Sequence, residues 1–459
     1  AAEPGQAPPL LMVYGHGDGG GGPTREMIEN LKLMEKFPGA PQVRMGKVGD
    51  FFKDLNEKSG AILPTWNDEL YLEYHRGTYT SQARNKRANR KSEVMLHNLE
   101  FIASTAKILD EEYEYPAENL GKLWQLVCLN QFHDILPGTS IREVYVESLE
   151  QYAEIERIGQ SLTRDALSGL APHFPGELLI VNPTSFSRAD MVVLQDKFPE
   201  GTGFEDVDGC PVEIQPSKKG LLLDVGILPP YSITPFIAIR SKPVSISEAD
   251  HEHGLVVRAN LLENELVKVK FDDAGDIQSV FDKELQQEVI PPDAVANQFQ
   301  AFEDRPKTPD AWEIDIMYYE KMWLAEPATS MKIVEHGPLR VAIEIKKKIL
   351  NSTIKQHISL AHNARHLVFN TDVDWNERFV LLKVAFPLQV LSPKATYEIQ
   401  WGDIQRPTHR NTSWDWAKFE VPAQKWVDLS EGGYGVSILN DCKYGHSIQD
   451  NVIKLTLLR

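Results

Sequence analysis

Two short stretches hold the residue types from which a reaction centre could be built. Gln131-Phe132-His133-Asp134 sets an imidazole beside a carboxylate at the end of an apolar run, and Ile135-Leu136-Pro137-Gly138-Thr139 follows as a stop. The run Leu123-Trp124-Gln125-Leu126-Val127-Cys128-Leu129 is apolar almost all round, which predicts a buried helix carrying a buried His-Asp pair. Burying polar groups unpaired costs roughly 2–7 kcal/mol, so a metal or a hydrogen-bond network must supply partners. A satisfied core histidine is the plainer reading of His133. The second stretch is Tyr14-Gly15-His16-Gly17-Asp18, running into Gly19-Gly20-Gly21-Gly22-Pro23-Thr24. Glycines allow positive φ and close backbone approach, and they leave the Asp18 carboxylate unshielded. A phosphate loop is excluded, because such a loop ends in Gly-Lys-Ser/Thr and here Pro23-Thr24 follows the glycines. An acidic loop suits a sugar or a proton transfer better.

The elements that must position these groups can be read from the flanks. Leu10-Leu11-Met12-Val13-Tyr14 has no alternation and predicts a parallel strand buried on both faces. Thr24-Arg25-Glu26-Met27-Ile28 opens a helix. Strand, glycine loop and helix together are where α/β proteins place ligands. Helical stripes predict three helices: Ser81 to about Glu112, with Val94, Leu96, Leu99, Ile102, Ala103 and Ala106 inside; about Ala117 to Asp134; and about Ile141 to Leu170. Short connections make them an antiparallel three-helix bundle. After Pro172, runs such as Leu266-Val267-Lys268-Val269-Lys270, Arg340-Val341-Ala342-Ile343-Glu344-Ile345 and Phe379-Val380-Leu381-Leu382-Lys383-Val384 predict antiparallel sandwiches. The fold class is therefore multidomain α+β: the end of an α/β domain (1–62), a three-helix bundle (63–172), a small β domain (173–245) and a large β-sandwich domain (246–459), with 241–254 as a polar linker.

Several segments together resemble the α-mannosidases of glycoside hydrolase family 38, of the cytosolic or fungal-vacuolar type. They are Gly17-Asp18-Gly19-Gly20-Gly21-Gly22-Pro23-Thr24, Glu69-Leu70-Tyr71 through His75-Arg76-Gly77-Thr78-Tyr79-Thr80, Asn130-Gln131-Phe132-His133-Asp134, Gln405-Arg406-Pro407-Thr408-His409, Asn411-Thr412-Ser413-Trp414-Asp415-Trp416 and Leu439-Asn440-Asp441-Cys442-Lys443-Tyr444-Gly445. The resemblance runs through the whole chain in order. It implies a retaining α-mannosidase acting on mannose-containing oligosaccharides with one divalent metal, zinc or alternatively cobalt. By the same resemblance Asp18 is the catalytic acid/base, His133 a metal ligand, Asp134 a sugar contact or an orienting group, and Tyr79, Arg406 and His409 contacts to the sugar. Family members are much longer, and neither their His-x-Asp metal pair nor their nucleophile is identifiable here. The chain therefore reads as an internal fragment, inactive alone.

Composition narrows the alternatives. A net charge of −18 over 459 residues disfavours nucleic acid, whose phosphates call for basic surface. No apolar run is long enough for a membrane span. Three cysteines, Cys128, Cys210 and Cys442, without metal-type spacing point to a reducing, cytoplasmic compartment, with the vacuole or lysosome as the alternative. Cys128 reads as a small core residue. His362 and His366 lie between strand-like runs, where that spacing shares no helix face, and His251 and His253 fall in the polar linker; neither pair reads as a metal site. A homo-oligomer is compatible with the sequence. The competing function class is a non-catalytic carbohydrate-binding or cargo protein on the same scaffold, for which Trp414, Trp416 and Trp426 would serve equally well.

Overall fold

Apolar residues at helical spacing build the part of the fold that carries His133. The computed structural model describes residues 9–39, 41–195, 198–199, 201–240, 254–307 and 310–459. The expected polar linker lies outside these residues except for Gly254, as do His251 and His253. The chain divides into two compact units, Ala1–Leu70 and Tyr71–Arg459.

In the first unit, α1 (Arg25–Met34) is capped by Thr24, whose hydroxyl accepts from the Met27 amide at 3.3 Å, and α2 (Val48–Ser59) follows. The loop and helix expected around the glycines are present. The buried parallel strand is not: Leu10 is 92% and Val13 80% exposed, and the described residues of this unit contain no strand. A parallel strand needs bonded neighbours along its edges and cover on both faces, and the residues around 10–14 provide neither.

In the second unit, α3 (Ala83–Leu109), α4 (Ala117–Asn130) and α5 (Arg142–Leu170) form the bundle. Leu96, Leu99, Ile102, Ala103 and Ala106 of α3 meet Leu120, Leu123 and Val127 of α4 and Tyr152, Ile155, Ala166 and Leu170 of α5. Val94, expected in this stripe, is half exposed. The α4 helix is shorter and less buried than its composition suggests. It stops at Asn130, whose buried side-chain amide donates to the Leu126 carbonyl at 2.9 Å and to Gln151 Oε1 at 2.7 Å. A helix in a three-helix bundle packs against two neighbours and keeps one face in solvent. Here that face carries Cys128 and Leu129, so Cys128 is exposed rather than a core residue.

The described residues after the bundle are mainly antiparallel β. A six-stranded sheet takes the order Leu178–Asn182, Ser232–Arg240, Thr202–Glu205, Pro211–Ser217, Gly220–Leu228, Arg188–Leu194. Four further sheets make the sandwich domain; Val267–Phe271, Arg340–Ile349 and Val380–Pro387 are strands, as the patterns predict. Its largest core gathers Leu262, Val269, Val341, Ile343, Tyr397 and Val427 from facing strands. Buried polar contacts fasten the bundle to the sandwich. Arg76 donates from Nη2 to the Ala417 carbonyl at 2.9 Å, pairs with Glu313 at 3.4 Å and lies 4.4 Å from the centre of the Phe419 ring. Gly77 donates its amide to the Trp312 carbonyl at 2.9 Å, and a Cβ there would lie 2.1 Å from Arg459 Nη1, so a larger residue would have to displace that guanidinium. Among the described residues, no helix is long and apolar enough to cross a membrane.

Candidate functional site

Because α4 ends at Asn130, residues 131–138 form a turn and not a last helical stretch. His133 and Asp134 ride on it in solvent: their side chains are 76% and 48% exposed, with Nε2 and Oδ2 3.4 Å apart. The expected burial of the pair is thus overturned. The polar groups need no compensating partners, because water reaches them. The turn's backbone, in contrast, is held from below. Ser140 Oγ donates to the Asp134 carbonyl at 2.7 Å, the Tyr145 hydroxyl bridges the Asp134 and Ile135 carbonyls at 3.3 and 3.2 Å, and Thr139 Oγ1 donates to Asp134 Oδ1 at 3.2 Å. Gln131 Nε2 donates to Glu93 at 2.7 Å and to Asn89 at 3.0 Å. Lys86 Nζ donates to the carbonyls of Ser81, Leu136 and Pro137 at 2.6, 2.7 and 3.2 Å.

An exposed imidazole on a rigid turn suits metal ligation, which wants a nitrogen at about 2.0–2.1 Å for zinc and an orienting group behind it. One imidazole is not a donor set. Among the described residues, no three His, Cys, Asp or Glu side chains cluster as a metal site would require. The residues present therefore do not by themselves fit a bound ion, and no chemical step is assigned through one.

Asp18 lies on an exposed turn of the first unit. The His16 amide donates to the Gly22 carbonyl at 2.8 Å, and the Gly19 and Gly21 amides donate back to the His16 carbonyl at 3.2 and 3.3 Å, closing the loop on itself. Gly17, Gly19 and Gly22 take positive φ of 64°, 96° and 71°, and a Cβ at Gly15 would lie 2.6 Å from the Gly19 carbonyl oxygen. Gly15, Gly17, Gly19 and Gly22 are thus requirements of the turn, which presents the carboxylate without cover.

The other candidate residues separate. Tyr79 is part-buried beside Tyr71, and burial, then that neighbouring phenol, hold its hydroxyl well above the ordinary tyrosine range. Tyr71 donates to the Glu420 carbonyl at 2.6 Å. Arg406 is 2% exposed, donates to the Pro422 carbonyl at 2.8 Å and lies over the Tyr397 ring, so in this conformation it cannot reach a sugar in a cleft. His409 does reach a cavity of about 540 Å³, together with Tyr319, Arg410, Asp415 and Trp416. Its Nδ1 is 3.4 Å from Asp415, which also closes the capping box on Thr412 at the start of a short helix, Ser413–Ala417. His362 Nε2 lies 3.0 Å from Asp224 Oδ2.

Family models match successive parts of this chain: the glycosyl hydrolases family 38 N-terminal domain over 1–69, the alpha mannosidase middle domain over 73–170, and the family 38 C-terminal domain over 262–459. The chain belongs to glycosyl hydrolase family 38. Within the family it is 37% identical over 456 residues to alpha-mannosidase 2C1 of Mus musculus and 38% over 461 residues to that of Homo sapiens. It is 32% identical over 476 residues to alpha-mannosidase of Saccharomyces cerevisiae. These alignments take in 98%, 99% and 98% of this chain but only 42%, 42% and 39% of the relatives, so the chain spans about two fifths of their length. An alpha-mannosidase of Enterococcus faecalis V583 shares the fold, with TM-score 0.75, 16% identity, and coverage of 95% of this chain and 58% of that one.

Some of what holds the His133 turn left no mark in the sequence. Lys86, within Ala83-Arg84-Asn85-Lys86-Arg87, reads as one more charge on a solvated helix face, yet it is 5% exposed. Lys383 did leave a signal: a lysine inside an apolar strand run is a buried cation in need of a partner.

Proposed function

We propose that this chain carries part of a retaining α-mannosidase that removes terminal α-linked mannose from mannose-containing oligosaccharides. The observation that carries the reading is the His133-Asp134 pair, held out into solvent on a turn whose backbone is tied down from beneath. That is what a ligand-facing group needs and what a core histidine does not show. The α-mannosidase relatives support the substrate class. In a retaining glycosidase two carboxyl groups stand about 5–5.5 Å apart, one as nucleophile and one as acid/base. Asp18 fills the acid/base role in this reading, since its glycine turn leaves the carboxyl open to a leaving-group oxygen. No nucleophile is assigned.

His133 would contribute one ligand to a divalent ion, zinc or cobalt, in the whole protein, and Asp134 would orient it or contact the sugar hydroxyls. His409, on its aromatic-lined cavity, serves as a further sugar contact. Tyr79, part-buried beside Tyr71, and Arg406, buried over Tyr397, have packing roles in this conformation. The exposed free thiols of Cys128 and Cys210 fit a reducing, cytoplasmic compartment. The test is His133→Ala in the full-length protein, with metal content read by mass spectrometry and turnover on an aryl α-mannoside. Metal and activity should fall together; unchanged metal stoichiometry would remove His133 from the site.

A further inference from the structure

We propose that Lys86 is a positioning residue for the His133-Asp134 turn, its ammonium fixing the turn by tying the carbonyls of Leu136 and Pro137 to that of Ser81 at the entrance of α3. The inference rests on the reading of His133-Asp134 as ligand-facing. Four observations carry it.

First, Lys86 is 5% exposed, and the three acceptors its ammonium meets, at 2.6, 2.7 and 3.2 Å, are all main-chain carbonyls. A lysine has three donors and no acceptor, so all three are used. Second, the turn touches the same Ser81 carbonyl from another side. Gly138 sits at φ 94°, and a Cβ there would lie 2.6 Å from Ser81 O. Third, Ser81 is itself anchored: its single hydroxyl proton is shared between the Gly77 and Ala311 carbonyls, at 2.9 and 2.8 Å, and its oxygen accepts from Arg459 Nη1 at 3.0 Å. The ammonium therefore joins the turn to a residue that is itself anchored to the sandwich domain. Fourth, keeping this cation is costly. Burial, then the charges of Lys443 and Arg459, push Lys86 down to about 7. A lysine kept there against such opposition is explained by the carbonyls it gathers.

In the full-length protein, Lys86→Met removes the charge at near-constant length and Lys86→Arg restores donors. Two readouts are needed. Amide hydrogen exchange of 131–140 should quicken in Lys86→Met while the α3 and α5 interiors keep their protection, and Lys86→Arg should recover most of it. Turnover on an aryl α-mannoside should fall about 10–100-fold, the range for groups that orient a ligand from behind. The fall should lie mainly in kcat, with Lys86→Arg again recovering. Unchanged exchange at 131–140 overturns the proposal. So does faster exchange with full turnover, provided His133→Ala is inactive. If His133→Ala is fully active too, the functional reading of the turn fails instead, and the exchange data still decide whether Lys86 holds it. Should Lys86→Met not fold, Lys86→Gln, which is shorter and neutral but keeps two donors, gives the same exchange comparison.

Discussion

Lys383 and Glu420 form an ion pair from which water is wholly excluded: both side chains are 0% exposed. Lys383 reaches inward from the strand Val380–Pro387, donates also to Ser447 Oγ at 3.2 Å and lies over the Tyr318 ring. Glu420 also accepts from Thr456 Oγ1. Burial pulls the ammonium down, but Glu420 and Tyr318 together outweigh it and hold Lys383 above the ordinary lysine range.

Breaking this pair should therefore be far worse than replacing it. Lys383→Met alone leaves a buried carboxylate without its cation and should destabilise by about 3–5 kcal/mol, as should Glu420→Leu alone. Lys383→Met with Glu420→Leu should recover much of that loss, short of full recovery because Ser447 and Thr456 lose a partner. Denaturant midpoints of the three variants check this; additive losses would refute it.

Acid should destabilise the sandwich through His446. This imidazole is 0% exposed, its Nδ1 is 3.1 Å from the Tyr444 carbonyl, and burial pushes it down to about 3. Between that value and about 6.5 the unfolded chain binds a proton that the folded chain refuses, so the unfolded state is favoured as pH falls through this window. His446→Gln should lower stability at neutral pH yet flatten its slope between about pH 6 and 4. Parallel stability–pH curves for the two proteins would count against it.

Gly138→Ala should loosen the turn that carries His133. The new Cβ meets Ser81 O at 2.6 Å, and φ 94° is a conformation L-residues avoid. A loss of about 1–3 kcal/mol is expected. The denaturant midpoint measures it, and a change below about 0.5 kcal/mol, the usual size for a surface site, would show that the turn relaxes freely.

Asp18→Asn tests the acid/base reading. Thermal stability should hardly move, because the carboxylate is exposed on a glycine turn. In the full-length protein the rate loss should grow with leaving-group pKa, since only poor leaving groups need protonation. A loss independent of the leaving group would leave Asp18 a structural loop residue.

The three-helix bundle and the strands were legible in the sequence because local periodicity records which face is buried. Leu96, Leu99 and Ile102 on α3, and Val341, Ile343 and Ile345 on the strand Arg340–Ile349, all fall where their spacing puts them. The segments that resemble family 38 were legible for a different reason: they are literal strings of residues. What lay beyond local pattern came out otherwise. Residues 10–14 have the composition of a buried strand, but pairing is a property of neighbours, and among the described residues they have no strand partner. His133 follows an apolar run, yet Asn130 ends the helix and tertiary packing leaves the next turn in water. Arg406 and His409, three residues apart, face opposite ways, one into the sandwich core and one into a cavity. Lys86 and Glu420 are charges that composition assigns to the surface. Only the tertiary structure, which brings carbonyls or an opposite charge to meet them, places them inside.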